Sequence, residues 1–366
     1  MLVSCHGIEL SDAFLSVSKA ISNKVTNPIL EGIKIVAEDD TLTLSATDTE
    51  LSIEKKIKAN IKVEGEAVVP GKFITEFIKK LTNEMIELEL NEKNQMIIKY
   101  DDSQTIIQCY NVLEYPSFKK LESMEYFGIT KKDLKTIINK TIFSVALDDS
   151  RPILKGVLFD IDKNTLNAIA LDGYRLAKVK KNIVSNLTLN IVIPAKSLSE
   201  ISRILDDSDD VINIYVDKST LMVDLGVTKI TTRLLEGDFV NYKQIISANY
   251  QTISIINKAQ FEDALERASL LSKVGQGNCV KFEITEKNLC ITSNSELGNV
   301  KENVPVNTSG KELSIAFNAR YFIENLRANN DEFVKICFNS AANPCVIVPV
   351  EGDEFLYLIL PVRMIG

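Results

Sequence analysis

The chain is 366 residues long, 45% hydrophobic and 25% charged, with a formal net charge of −8. Its length is too great for one comfortable core and predicts two or three domains of ordinary globular composition. The acidic balance excludes a protein that coats nucleic acid with its whole surface, and the absence of any run of about 18 apolar residues excludes a membrane-spanning helix.

The opening MLVSCHGIELSD has neither the basic nor the apolar segment of a signal peptide. Helical spacing first arises in LSDAFLSVSKAIS from Leu10, with Ser11 and Asp12 as the expected capping region. Alternation over KIVAEDDTLTLSATD (34–48) predicts strand, turn, strand. VVPGKFITEFIKKL from Val68 predicts a strand running into a helix, with Phe73, Phe77 and Leu81 on one face. The series then restarts. ESMEYFGITK begins a strand near 125, and TKKDLKTIINKTIF predicts a helix capped by Thr130. GVLFDIDKNTLNAIALD (156–172) and IVIPAKSLSEISRIL from Ile191 repeat the strand pair and the strand-to-helix passage. SANYQTISI begins a third series near 250, followed by NKAQFEDALERASLLS from Asn257, KFEITEKNLCITSNS (281–295) and SIAFNARYFIENLRAN from Ser314.

Pro70, Pro194 and Asn318 hold the same place at a spacing of 124 residues, twice. Two residues on stand Lys72, Lys196 and Arg320, and four further stand Glu76, Glu200 and Glu324. Self-similarity at a fixed spacing marks tandem duplication. The expected fold is therefore α+β, three tandem repeats of two helices with antiparallel sheets, over domains 1–125, 126–250 and 251–366. Cys5, Cys109, Cys279, Cys290, Cys337 and Cys345 are scattered, with no Cys-x-x-Cys pair. They read as core residues of a cytoplasmic protein.

The six helical stretches together carry +8, so the remainder carries −16. Helices facing one way would attract a polyanion that the rest of the surface repels. Packed about 10 Å apart, six helices close a circle with a hole of roughly 9 Å, too narrow for duplex DNA, whereas twelve leave about 28 Å. A DNA-encircling ring thus needs two chains joined by heterologous head-to-tail contacts, which also cover the open sheet edges.

TNPILEGIKI from Thr26, SATDTELSIE from Ser45, SRPILKGVLFDI from Ser150, ALDGYRLA from Ala170, LEGDFVNYKQII from Leu235 and the final YLILPVRMIG follow one another across the whole chain. In order and spacing they resemble the bacterial DNA sliding clamps, the beta subunits of the replicative DNA polymerase III. The resemblance implies a DNA-clamp fold closing into a homodimeric ring, a non-catalytic processivity factor of the cytoplasm, and no cofactor or metal. Implied partners are double-stranded DNA, a second copy, the polymerase alpha subunit, the clamp loader, and other polymerases and repair proteins that dock by short linear motifs. The implied docking pocket is Leu154, Leu171, Gly173, Tyr174, Arg175, Leu176, Val240, Ile245, Leu358, Leu360, Pro361, Val362, Arg363 and Met364. An apolar groove with few polar groups suits such a motif; the alternative is that Leu154, Leu176 and Ile245 are core. The implied DNA contacts are Lys24 on a loop, and Lys72, Lys79, Lys80, Lys131, Lys132, Lys135, Lys140, Lys196, Arg203, Lys258, Arg267, Arg320 and Arg327 along the channel. They would be sequence-blind phosphate contacts. The implied dimer seam sets Thr105 and Ile107 against Leu270 and Leu271. The chain departs from the family at Val240 and Gln244, where proline and arginine are usual, at Tyr174, where histidine is common, and at Thr105, which replaces a larger apolar residue. Ile365 and Gly366 run past the family's common end and stand to crowd the pocket.

Enzyme chemistry lacks raw material. The single histidine, His6, on the first strand, supports no triad or multi-histidine metal site. Gly275 and Gly277 lack the third glycine or the lysine of a phosphate loop. The run DDSDD (206–210) and the pair Asp160 and Asp162 offer carboxylates for Mg²⁺, but such a run after a helix reads as a solvated turn. Asp148 and Asp149, before Arg151, would repel phosphate. A peptide-binding adaptor without DNA is the remaining alternative, and it needs no basic helices.

Overall fold

The computed structural model describes residues 1–22, 27–117, 125–246, 249–272 and 278–363. One order of elements occurs three times. The first repeat holds β1 (Leu2–His6), α1 (Gly7–Val17), β2 (Gly32–Glu38), β3 (Thr41–Thr47), β4 (Leu51–Lys58) and β5 (Asn60–Val63). It ends with β6 (Gly65–Pro70), α2 (Gly71–Ile78), β7 (Met85–Leu90), β8 (Gln95–Tyr100) and β9 (Ser103–Gln108). The second holds β10 (Glu125–Thr130), α3 (Lys131–Thr141), β11 (Gly156–Asp162), β12 (Thr165–Leu171) and β13 (Arg175–Asn182). Then come β14 (Thr188–Pro194), α4 (Ala195–Ile204), β15 (Val211–Val216), β16 (Thr220–Asp224) and β17 (Thr228–Arg233). The third holds β18 (Thr252–Asn257), α5 (Lys258–Ser272), β19 (Cys279–Ile284), β20 (Asn288–Ser295) and β21 (Gly298–Gly310). It closes with β22 (Leu313–Asn318), α6 (Ala319–Arg327), β23 (Phe333–Phe338), β24 (Cys345–Pro349) and β25 (Phe355–Ile359).

The expected helices and strand pairs are these elements, and Pro70, Pro194 and Asn318 each end the strand that feeds α2, α4 or α6. Two expectations fail. Leu81 lies past the end of α2, which buries Ile74, Thr75 and Ile78 in place of Phe73 and Phe77. The first helix begins at Gly7 rather than near Leu10, and Ser11 lies buried inside it while Asp12 pairs with Lys55. No side chain caps it. The Gly7 N–H instead donates to the Glu84 carbonyl at 2.8 Å, so a tertiary acceptor stands in for the cap.

The chain divides into two compact units, Met1–Lys131 with Arg203–Leu234, and Lys132–Ser202 with Leu235–Gly366. The first carries a five-stranded sheet, β5-β1-β7-β8-β9, and an eight-stranded sheet, β10-β15-β16-β17-β4-β3-β2-β6. The second carries a twelve-stranded sheet, β14-β11-β12-β13-β25-β24-β23-β18-β21-β20-β19-β22. The division passes through the second repeat because backbone ladders bind strands of different repeats. β17 pairs antiparallel with β4, and β25 with β13. Buried alternating side chains fill each unit, among them Phe14, Ile33 and Phe127 in the first and Phe159, Phe261, Phe282 and Phe322 in the second. Among the described residues no helix is long and apolar enough to cross a membrane.

Candidate docking pocket and nucleic-acid interface

In the second unit, the turn from β12 to β13 is shaped by Asp172, whose Oδ1 accepts the N–H groups of Tyr174 (2.9 Å) and Arg175 (3.0 Å). Gly173 adopts φ 92° there, the left-handed region that favours glycine. The Leu360 N–H donates to the Tyr174 carbonyl at 2.9 Å and the Val362 N–H to the Ala316 carbonyl at 2.8 Å, which fixes the C-terminal segment along the turn. Leu176 lies opposite Leu358 across the ladder. These two, with Leu154 and Leu171, belong to one buried cluster, against which half-buried Val240 and Leu360 pack. Around it Gly173, Tyr174, Ile245, Val362 and Arg363 are exposed and Pro361 half-buried. Leu154 and Leu176 are thus buried, whereas Ile245 is exposed. Met364, Ile365 and Gly366 lie outside the described residues. Ile153 and Phe239 also pack on the cluster. Their signal was present, since they adjoin Leu154 and Val240 in the motifs that carried the resemblance.

Beside this floor a cavity of about 400 Å³ is lined by Leu158, Val192, Phe239, Val240 and Tyr242. The Tyr242 hydroxyl donates to Asp160 Oδ2 at 2.6 Å, and Lys243 Nζ lies 3.1 Å from the same oxygen. Burial, then this bond, raises the phenol pKa. Asp160 is thus occupied by organic donors, and among the described residues no group of three or more metal-ligating side chains could hold an ion.

Arg175 does not line the groove with its charge. It is buried, and its guanidinium donates to Asp172 at 3.0 Å, to Glu324 on α6 and to the Phe143 carbonyl. It also lies 4.5 Å from the Tyr321 ring centroid. Its role is to tie the turn to α6.

The basic residues differ in how free they are. Lys72, Lys79, Lys80, Lys132, Lys196, Arg203, Arg267, Arg320 and Arg327 are exposed, whereas Lys131, Lys135, Lys140 and Lys258 are half-buried. Arg267 pairs with Glu302 (2.8 Å), Arg320 with Glu324 (2.6 Å), and Arg327 with Glu266 (2.6 Å) and Glu262. Lys131 is held by Asp206 (2.9 Å) and Asp210 (3.1 Å), so the acidic run serves as a partner for a lysine. Lys258 Nζ donates to the Asn329 carbonyl at 2.9 Å. Lys140 lies 4.9 Å from the Phe355 centroid, and burial lowers its pKa. Asp149 pairs with Lys155 and Asp148 accepts from Ser150. Lys72 on α2, and Lys79 and Lys80 just past its end, have no acidic partner among the described residues. Lys24, Gly275 and Gly277 lie outside them. His6 is exposed at the end of β1.

At the β9 edge, half-buried Thr105 and Ile107 lie opposite buried Ile98 and Met96. Nearby, Phe77 stacks on Phe73 at 5.8 Å and meets Tyr100 edge-on at 5.7 Å, with Phe73 half exposed. In the other unit Leu270 is 65% exposed and Leu271 half-buried. Leu270 borders a cavity of about 500 Å³ with Arg320, Ile323 and Arg327.

Comparison with known proteins matches three successive segments to one family. Residues 1–119 match the N-terminal domain of the DNA polymerase III beta subunit, 128–241 its central domain and 243–363 its C-terminal domain. The chain is similar to the beta sliding clamp of Halalkalibacterium halodurans, 34% identical over 95% of each chain, and to that of Bacillus subtilis, 32% identical over 97% of each. The crystal structure of the Bacillus subtilis DNA polymerase sliding clamp superposes with a TM-score of 0.97 at 31% identity over 100% of both chains.

Proposed function

The chain belongs to the DNA polymerase III beta-subunit family, the non-catalytic sliding clamps of DNA replication, and on that premise we propose that two copies close head to tail around duplex DNA. One observation carries the reading. In each repeat the strand after the first hairpin (β4, β13, β21) and the last strand (β9, β17, β25) hold corresponding places in the element order. β4 of the first repeat pairs with β17 of the second, and β13 of the second with β25 of the third. Among the described residues the same rule leaves β21 of the third without a last strand and β9 of the first without a neighbour beyond β8. At β21, residues 298–305 pair with β20, and only 306–310 pair with β18. Two open edges of matching kind at opposite ends of the repeat series are what a head-to-tail dimer needs. Phe73, Ile107 and the exposed Leu270 supply apolar surface for such a seam.

On this reading 1–125, 126–250 and 251–366 are the three domains, and α2 and its C-terminal end offer Lys72, Lys79 and Lys80 to phosphates without regard to sequence. The exposed rim of Tyr174, Ile245 and Val362 over the Leu154–Leu171–Leu176–Leu358 floor takes apolar anchors of linear peptides from polymerase, clamp loader and repair proteins.

Two measurements test it. Light scattering should give a dimer at micromolar concentration, and the loaded protein should stay on circular DNA but slide off linear DNA. A stable monomer, or equal escape from both, would remove the ring. Ile245→Asp with Val362→Asp should abolish binding of a polymerase-tail peptide and leave the dimer intact; unaltered binding would displace the pocket.

A further inference from the structure

The junction between β4 and β17 repeats the junction between β13 and β25 in backbone but not in chemistry. Leu51 lies opposite Thr232 as Arg175 lies opposite Ile359, so the next pair, Ser52 and Thr231, stands where Leu176 and Leu358 meet. The preceding turn is also the same. Asp48 Oδ1 accepts the N–H groups of Glu50 (3.0 Å) and Leu51 (2.8 Å), as Asp172 does for Tyr174 and Arg175. Thr49 holds φ 78° in the place where Gly173 holds 92°, a conformation that a β-branched residue adopts only when its surroundings enforce it.

At this pair lies a cavity of about 380 Å³ whose lining includes Thr47, Ser52, Pro116, Ser219, Thr231, Glu50 and Arg233. Thr47 Oγ1 accepts the Thr49 N–H at 3.0 Å and lies 2.8 Å from Ser52 Oγ, which orders the hydroxyls on one wall. The Arg233 guanidinium is exposed and has no acidic partner among the described residues. Threonine methyl groups and Pro116 keep part of the wall apolar, but an apolar anchor seated here would strip water from the Ser219 and Thr231 hydroxyls without replacing its hydrogen bonds. Thr47 donates its proton to the Leu51 carbonyl at 3.1 Å and Ser52 is bonded to Thr47, so the Ser219 and Thr231 hydroxyls, beside a guanidinium with no acidic partner among the described residues, are the donors left for a carboxylate.

We propose that the first sheet junction is a second docking site, which takes a short acidic peptide segment of a partner protein. The carboxylate sits on the Arg233 side, and Glu50 opposes it, which keeps the affinity modest. The choice of a peptide rests on the docking role read for the other junction. The preference for acid rests on Arg233 and the hydroxyls alone.

Full-length protein would be titrated against two labelled, end-blocked peptides, Ser-Asp-Ser-Glu-Ser-Asp and Ser-Leu-Ser-Leu-Ser-Leu, by fluorescence anisotropy. The acidic peptide should bind about tenfold more weakly to Arg233→Glu and roughly threefold more tightly to Glu50→Gln, since charge at an interface edge is felt in both directions. Neither exposed substitution should move the melting temperature. The leucine peptide should ignore both and be lost in Val362→Asp. No acidic-peptide binding at about 1 mM, or equal binding by wild type and Arg233→Glu, overturns the site. Loss of the leucine peptide alone would count against the other junction and leave this one standing.

Discussion

The Arg175 guanidinium, 7% exposed, donates to the Glu324 carboxylate 149 residues away and so binds the turn after β12 to helix α6. Removing Arg175 takes the guanidinium from Asp172 and the Phe143 carbonyl and leaves Glu324 with Arg320 alone. Arg175→Met should therefore destabilise the second unit by about 3 kcal/mol, read by denaturant unfolding, and should cost more than Arg320→Met, whose side chain is exposed. Equal losses would show that Arg175 does not hold α6.

The same carboxylate sets an acid limit. Burial pushes the Glu324 pKa up, but hydrogen bonds from Arg320 and Arg175 outweigh it and hold the carboxyl below its ordinary value. A depressed carboxylate contributes stability that is complete above its unfolded pKa of about 4.3 and is lost as pH falls through the folded value. Asp206 extends the window downward, since hydrogen bonds from Ser208 and then Lys131 hold it at about 2. Melting temperature should be level above pH ~5 and fall toward pH ~2, and Glu324→Gln should flatten the upper part of that fall. A variant that follows the wild-type curve throughout would refute the assignment.

Lys72, Lys79 and Lys80 have no ion-pair partner among the described residues, whereas Arg267, Arg320 and Arg327 must leave glutamates to reach a phosphate. Replacing the three lysines by alanine should lower the slope of log affinity against log salt by about 0.9 for each phosphate no longer neutralised, measured on short duplexes from ~50 to ~200 mM salt. An unchanged slope would turn α2 away from DNA.

A Cβ at Gly7 would lie 1.9 Å from the Leu81 carbonyl oxygen, a backbone atom that cannot swing aside. Gly7→Ala should cost about 3 kcal/mol through forced backbone shifts and lower the first thermal transition. Full stability in this variant would mean that α1 starts elsewhere.

The repeat was legible because it is written linearly. Strand alternation, helical spacing, the Pro70–Pro194–Asn318 interval and the helix charges all depend on residues close in sequence. The floor of the candidate pocket was legible for the same reason, since Leu171 and Leu176 sit in one short motif. The inward turn of Arg175 was not, because Glu324 and Phe143 approach it only after folding. Nor was the pairing of Arg327 with Glu262 and Glu266, which brings cations counted for DNA against acids on a different helix. The start of α1 escaped because its acceptor, the Glu84 carbonyl, lies far along the chain.

Local pattern and composition were enough to establish a thrice-repeated α+β unit with net positive charge on its helices. Which strands join across repeats, and hence that among the described residues β9 and the 298–305 part of β21 keep one side unpaired, emerged with the folded chain. Ladder pairing joins distant segments, and no local pattern encodes its register. The same long-range pairing lines one junction with leucines and the other with hydroxyls around Arg233.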